Sequence, residues 1–170
     1  GDVAVTAGSG AATMTGKFDL GSGFGAVGVA DITAGSDLVI YGSISSGVGS
    51  ALVKNGIGQL ELQGGLTDDN TFVAAYVNDG VLMLNSLSSH VLPNYVTVGD
   101  GVGVGGTALV VLSQSSEIDD TATVVVNADG IFYLNNHFDA IGALAAYSGA
   151  AIMTGPAGQL RVGGGVSLLP

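Results

Sequence analysis

Apolar residues recur at every second position along much of this chain: Leu60 and Leu62, Leu82 and Leu84, Val96 and Val98, Val124 and Val126, Phe132 and Leu134, Leu160 and Val162. Alternation of this kind marks strands with one buried face. Between these runs lie clusters that supply tight or left-handed turns at low steric cost: Gly64-Gly65, Asp68-Asp69-Asn70, Asn78-Asp79-Gly80, Gly99-Asp100-Gly101, Asp119-Asp120 and Ala128-Asp129-Gly130. The best helical candidate is Phe138 to Ala151, which is rich in alanine but interrupted by Gly142 and Gly149. Each glycine costs a helix interior about 1 kcal/mol, so the segment reads as strand and turn. The pattern predicts an all-β chain with no long α-helix.

The strands also repeat. GIGQLELQGG at 56–65 is answered by GPAGQLRVGG at 155–164, and VNDGVLMLNS at 77–86 by VNADGIFYLNN at 126–136. Alternating pairs that begin at Leu60, Leu82, Leu109, Phe132 and Leu160 are separated by 22, 27, 23 and 28 residues. A recurrence of 20 to 30 residues is a solenoid signature, in which each coil lays a short strand in register with the one before it. A β-sandwich of hairpins would share the alternation and the turns. The recurrence favours a single β-solenoid domain over residues 1–170, with coils of about 20–28 residues.

Several quoted stretches resemble the autotransporter-associated β-strand repeat, also called the passenger-associated transport repeat. They are ALVKNGIGQLELQGG, FVAAYVNDGVLMLN, YVTVGDGVGVGGTALVVL, and IDDTATVVVNADGIFYLNN with DAIGAL close behind. The resemblance is best over 51–165 and looser over 1–50. It implies a right-handed parallel β-helix, secreted or displayed on a bacterial surface, with no catalytic motif. The sequence departs from the family pattern where FVAAY replaces a threonine-rich stretch and where Asp129-Gly130 replaces a glycine pair.

Composition narrows the function. An apolar fraction of 47% rules out a disordered chain, and 30 glycines without a strict period rule out collagen. A formal net charge of −11 repels phosphate backbones and anionic lipid head groups, which argues against nucleic-acid and membrane-surface partners. With no cysteine there is no disulfide or thiolate metal site.

Catalytic chemistry has little to draw on. His90 and His137 are the only imidazoles, both in turn-like contexts, and Lys17, Lys54 and Arg161 are the only cations with which to stabilise developing negative charge. Asp68-Asp69 and Asp119-Asp120 could lend oxygens to calcium, but adjacent residues of a strand point to opposite faces, so solvated corners are expected. GDGVGVGG at 99–106 lacks the lysine and the following helix of a phosphate cradle and reads as a turn. Tyr41, Tyr76, Tyr95, Tyr133 and Tyr147 would form a sugar-stacking surface only if several shared an outward face. The sequence therefore assigns no catalytic, cofactor-binding or metal-ligating residue, calcium being the one cation held open.

DVAVTAG at 2–8 and GGGVSLLP at 163–170 read as apolar strand-like pieces that no helix caps. Open coil ends carry unpaired N–H and C=O groups. The expectation is a structural, non-enzymatic, extracellular solenoid that stacks head to tail into a fibre, stalk or matrix, as separate subunits or tandem copies. An adhesin or glycan-binding surface protein is the alternative.

Overall fold

The structure is a computed structural model that describes residues 2–6, 10–31, 35–47, 49–64, 70–87, 90–92 and 94–170. Every strand pairing in it is parallel, no helix forms among the described residues, and the chain winds through about seven turns of a β-solenoid. Among the described residues no helix is therefore long and apolar enough to cross a membrane.

Three faces make up each turn. The first is an eight-stranded sheet formed by β1 (Val3–Val5), β4 (Phe24–Val29), β7 (Ala51–Asn55), β9 (Ala74–Val77), β11 (Tyr95–Val98), β13 (Thr123–Val126), β16 (Ala143–Tyr147) and β19 (Val166–Leu169), in that order. The second has seven strands, β2 (Ala12–Thr15), β5 (Leu38–Tyr41), β8 (Gln59–Gln63), β10 (Gly80–Leu84), β12 (Ala108–Leu112), β14 (Gly130–Tyr133) and β17 (Ala151–Met153). The third is less regular. Its ladder consists of β3 (Phe18–Asp19) with β6 (Ile44–Ser45), an isolated Leu92–Ile118 bridge, and β15 (Phe138–Ile141) with β18 (Gln159–Val162).

The alternation read from the sequence is the alternation of this prism. Inward positions stack into columns, such as Leu60, Leu82, Val110 and Phe132 on the second sheet, each fully buried. The third face contributes Ile44, Phe72, Leu92, Ile118 and Ile141 to the same interior. Burial of one such side chain stabilises the fold by roughly 1.5–3 kcal/mol, and stacking repeats that gain in every turn. Residues 138–151 form β15 and β16 and reach the start of β17, as the glycine-interrupted pattern predicted.

Two details of the repeat differ from expectation. Leu109 pairs with Val81 and Ile131 on the outer side of the second sheet, and the inward residue is its neighbour Val110. The run Ala-Leu-Val-Val-Leu is apolar at every position, so alternation gives it no phase. Leu160 does not join the Leu60 column either. β18 pairs with β15 on the third face, so the two similar phrases at 56–65 and 155–164 occupy different sides of the prism. Alternation defines which side of a strand is buried but not which face of the prism the strand joins.

Corners carry the predicted turn residues. Gly80 opens β10 at φ 67° against the backbone of Gly56, Ile57 and Gly58, where any Cβ would collide with the coil below. Gly65 and the Asp68-Asp69 pair fall outside the described residues.

Candidate functional site

Where the chain turns a corner the ladder hydrogen bonds lapse, and buried backbone groups there need other partners. This prism supplies them from polar side chains directed inward. Sequence reasoning missed this set of residues, and it is the most distinctive chemistry in the molecule.

Lys54 lies in an interior column of the first sheet, paired in register between Val27 and Val77. It is fully buried. Its Nζ donates to three carbonyl oxygens at a corner: Asn55 at 3.2 Å, Gly56 at 2.6 Å and Asp79 at 2.9 Å. Burial pulls its pKa down from 10.5 to about 8, against the raising influence of Asp79 and Asp37.

Carboxylates do the opposite work, accepting from corner amides of the neighbouring coil. Asp37 Oδ2 accepts the Gln59 N–H at 2.7 Å. Asp129 Oδ1 accepts from Gly101 N at 2.8 Å, and its Oδ2 accepts from Asp100 N and Thr107 Oγ1, each at 3.3 Å. The glycine-rich loop at 99–106 is thus a turn, as expected. Two of the amides that a phosphate would need already hold an internal carboxylate.

On the third side, Glu117 Oε1 accepts from Ser86 N at 2.9 Å. Asp139 Oδ2 accepts from Glu117 N at 3.0 Å and Ile118 N at 3.3 Å. Both residues are fully buried, and Glu117 Oε2 and Asp139 Oδ1 have no hydrogen-bond partner among the described residues. Burial raises Glu117 from 4.5 to about 8, with the negative charge of Asp139 adding to the effect, while the Ser86 N–H opposes it. Burial likewise raises Asp139 from 3.8 to about 6, opposed by the N–H groups of Glu117, Ile118 and Ala140. A signal for these residues was present: Lys54 is in phase with Leu52, and Asp139 with Ile141.

Of the residues singled out from the sequence, the structure brings His90 to the Asp119-Asp120 turn at the surface and leaves His137 apart. Asp119 is a surface turn residue whose Oδ1 accepts from the Thr121 N–H at 2.7 Å and hydroxyl at 2.5 Å, bonds that lower its pKa. Asp120 faces His90 at 3.7 Å on the exposed surface. His137 lies further along the stack, just before β15. Among the described residues no group of three or more His, Asp or Glu side chains could hold a metal ion.

The tyrosines divide between faces. Tyr76 and Tyr95 share the outer side of the first sheet with Phe24, at centroid distances of 6.3 Å between the tyrosines and 6.0 Å between Phe24 and Tyr76. Tyr41 and Tyr133 lie on the second sheet.

The two ends of the described stack expose interior columns. In β19, Val166 and Leu168 continue the column of Leu144 and Ala146 but are 59% and 83% exposed. At the other end Val3, Val5, Ala12, Met14 and Phe18 are only partly covered. No protein-family model, no curated protein and no solved structure matches the chain.

Proposed function

We propose that this protein is a structural β-solenoid whose coils stack on those of further copies, end to end, to build a fibre, stalk or matrix. The observation that supports this reading is the interior column that β19 leaves open at Val166 and Leu168, which a next coil, from a separate or a tandem copy, would cover. A following coil would bury both, a gain of roughly 2–4 kcal/mol in transfer free energy, and would complete the ladder edge of β19. The edge of β1 offers the same opportunity at the opposite end.

Charge supports unlike ends meeting. Arg161, the chain's one arginine, lies on the last turn, while Asp2 and Asp19 lie on the first beside Lys17. A contact between unlike ends leaves one end of each kind free, so with successive copies in line along the stack axis it propagates. An extracellular, bacterial setting and a role without catalysis rest on the resemblance of residues 51–165 to the passenger-associated repeat.

Sedimentation velocity over a concentration series tests this function. The expected result is growth into species much heavier than the 16.6 kDa chain, abolished by Leu168→Asp. A wild-type protein that sediments as a single copy at every concentration would rule the reading out.

A further inference from the structure

A groove of about 590 Å³ runs along the corner where the second sheet turns toward the third face. It crosses five coils. Thr15, Tyr41 and Gln63 stand in one register row, Asn85 continues that row just beyond the Leu62–Leu84 pair, and Gln114, one position past the row on the next coil, closes the groove. Successive rungs are about 4.8 Å apart, the spacing of neighbouring strands.

The floor is bare backbone. Gly16 and Gly42 stack on each other, and a Cβ at Gly42, whose φ is 119°, would meet the Gly16 carbonyl oxygen. Only glycine therefore keeps the corner this tight, and its lack of a side chain leaves the groove open.

The walls are amide and aromatic, with the exposed Leu87 side chain among them. Asn85 Nδ2 donates to Glu61 Oε1 at 2.7 Å, and Gln114 Nε2 donates to Asn85 Oδ1 at 3.4 Å, which orders the amides along the stack. Glu61 is held in turn by the Ser36 hydroxyl. Neither the Gln63 amide nor the Tyr41 hydroxyl is engaged among the described residues, and the Tyr41 ring is 42% exposed. No described lining residue is charged.

We propose that this groove binds an extended, neutral polysaccharide. The unengaged Gln63 amide and Tyr41 hydroxyl offer donors and acceptors to hydroxyl groups, an exposed aromatic ring offers a face to sugar C–H groups, and a periodic groove suits a periodic chain. The strand spacing is close to the rise per sugar of an extended β-1,4-linked glycan, so one coil would serve about one residue. Charge selects among glycans: described lining residues without charge, on a chain of net charge −11, disfavour uronates and sulfated sugars. This site lies on the side of the stack and does not depend on end-to-end assembly.

The test is calorimetric titration of the protein with cellohexaose, mannohexaose and chitohexaose, and with hexagalacturonate as the anionic counterpart. Saturable binding of at least one neutral hexasaccharide is expected, with hexagalacturonate at least tenfold weaker. Tyr41→Ala should weaken binding at least tenfold and Gln63→Ala severalfold, each at an unchanged melting temperature. Ile57→Ala, on a different corner, should leave binding as it was. If Tyr41→Ala melts early, Tyr41→Phe and Gln63→Ala carry the test. Absence of binding to all three neutral probes, equal binding of hexagalacturonate, or wild-type affinity in the groove variants would overturn the proposal.

Discussion

Replacing Glu117 with glutamine should change how the stability of this protein depends on pH. The carboxyl is fully buried, accepts the Ser86 N–H, and has a pKa raised from 4.5 to about 8. Between those two values the folded chain binds more protons at this position than the unfolded chain does. The stabilisation is therefore complete below pH 4.5 and is lost as pH rises through 8. At 1.36 kcal/mol per pH unit the gap caps the effect at about 5 kcal/mol, and relaxation around the ionised group will return part of it.

Asp139 adds a smaller loss over the lower window, from pH 3.8 to about 6. Its charged surface neighbours, Asp120 and the facing His90, are shared by wild type and variant. In Glu117→Gln the side-chain amide retains an acceptor for Ser86 and fills the same volume without titrating. Urea unfolding of both proteins from pH 5 to 8 measures the difference, read from transition midpoints at constant m-value. The two should be within about 1 kcal/mol at pH 5, and the variant should be ahead by several kcal/mol at pH 8. Parallel stability curves, or a variant that is uniformly weaker, would refute the assignment of a buried protonated acid.

Other expectations follow from the same accounting of corners. Lys54→Ala should cost about 3–5 kcal/mol in urea unfolding, because it leaves a cavity and three carbonyl oxygens without their donor. Lys54→Met should cost much less, since it keeps the stem and removes a buried charge. Because the Lys54 pKa is lowered, the unfolded chain binds more protons at this position between pH 8 and 10.5, so its contribution to stability rises with pH there; the methionine variant should lose that slope. Asp129→Ala should release the 99–106 loop, seen as faster hydrogen exchange at Gly101, with the strands on either side still protected. Val110→Asp should abolish folding as judged by circular dichroism, while Leu109→Asp should cost less than about 2 kcal/mol.

How much of this was legible in the sequence depended on polar residues standing between apolar ones. In β8, Gln59, Glu61 and Gln63 flank Leu60 and Leu62, so strand, phase and buried side could be read directly. In β12 the flanking residues are apolar too, and the phase came out one residue off. The coil recurrence gave the solenoid but not the face of the prism on which each strand lies, because corner lengths vary while the alternation does not. QLRV at 159–162 was misplaced for that reason.

The buried ionisable residues were partly legible, since an inward phase marks Lys54 and Asp139, but their partners come from other coils. Ser86 and Glu117 are 31 residues apart in sequence and meet only because the turns stack. The groove was illegible for the same reason: Thr15, Tyr41, Gln63 and Asn85 form a row, with Gln114 beside its end, only once the register of five coils is known.

The central claim, that these coils continue into the coils of other copies, is tested most directly by electron microscopy with helical reconstruction. One copy of about seven turns is a rod roughly 35 Å long at 4.8 Å per turn. The account predicts filaments many times that length, with strand spacing of about 4.8 Å along the axis and density running unbroken from one copy into the next. Isolated rods roughly 35 Å long, at concentrations where Val166 and Leu168 had every opportunity to be covered, would contradict it.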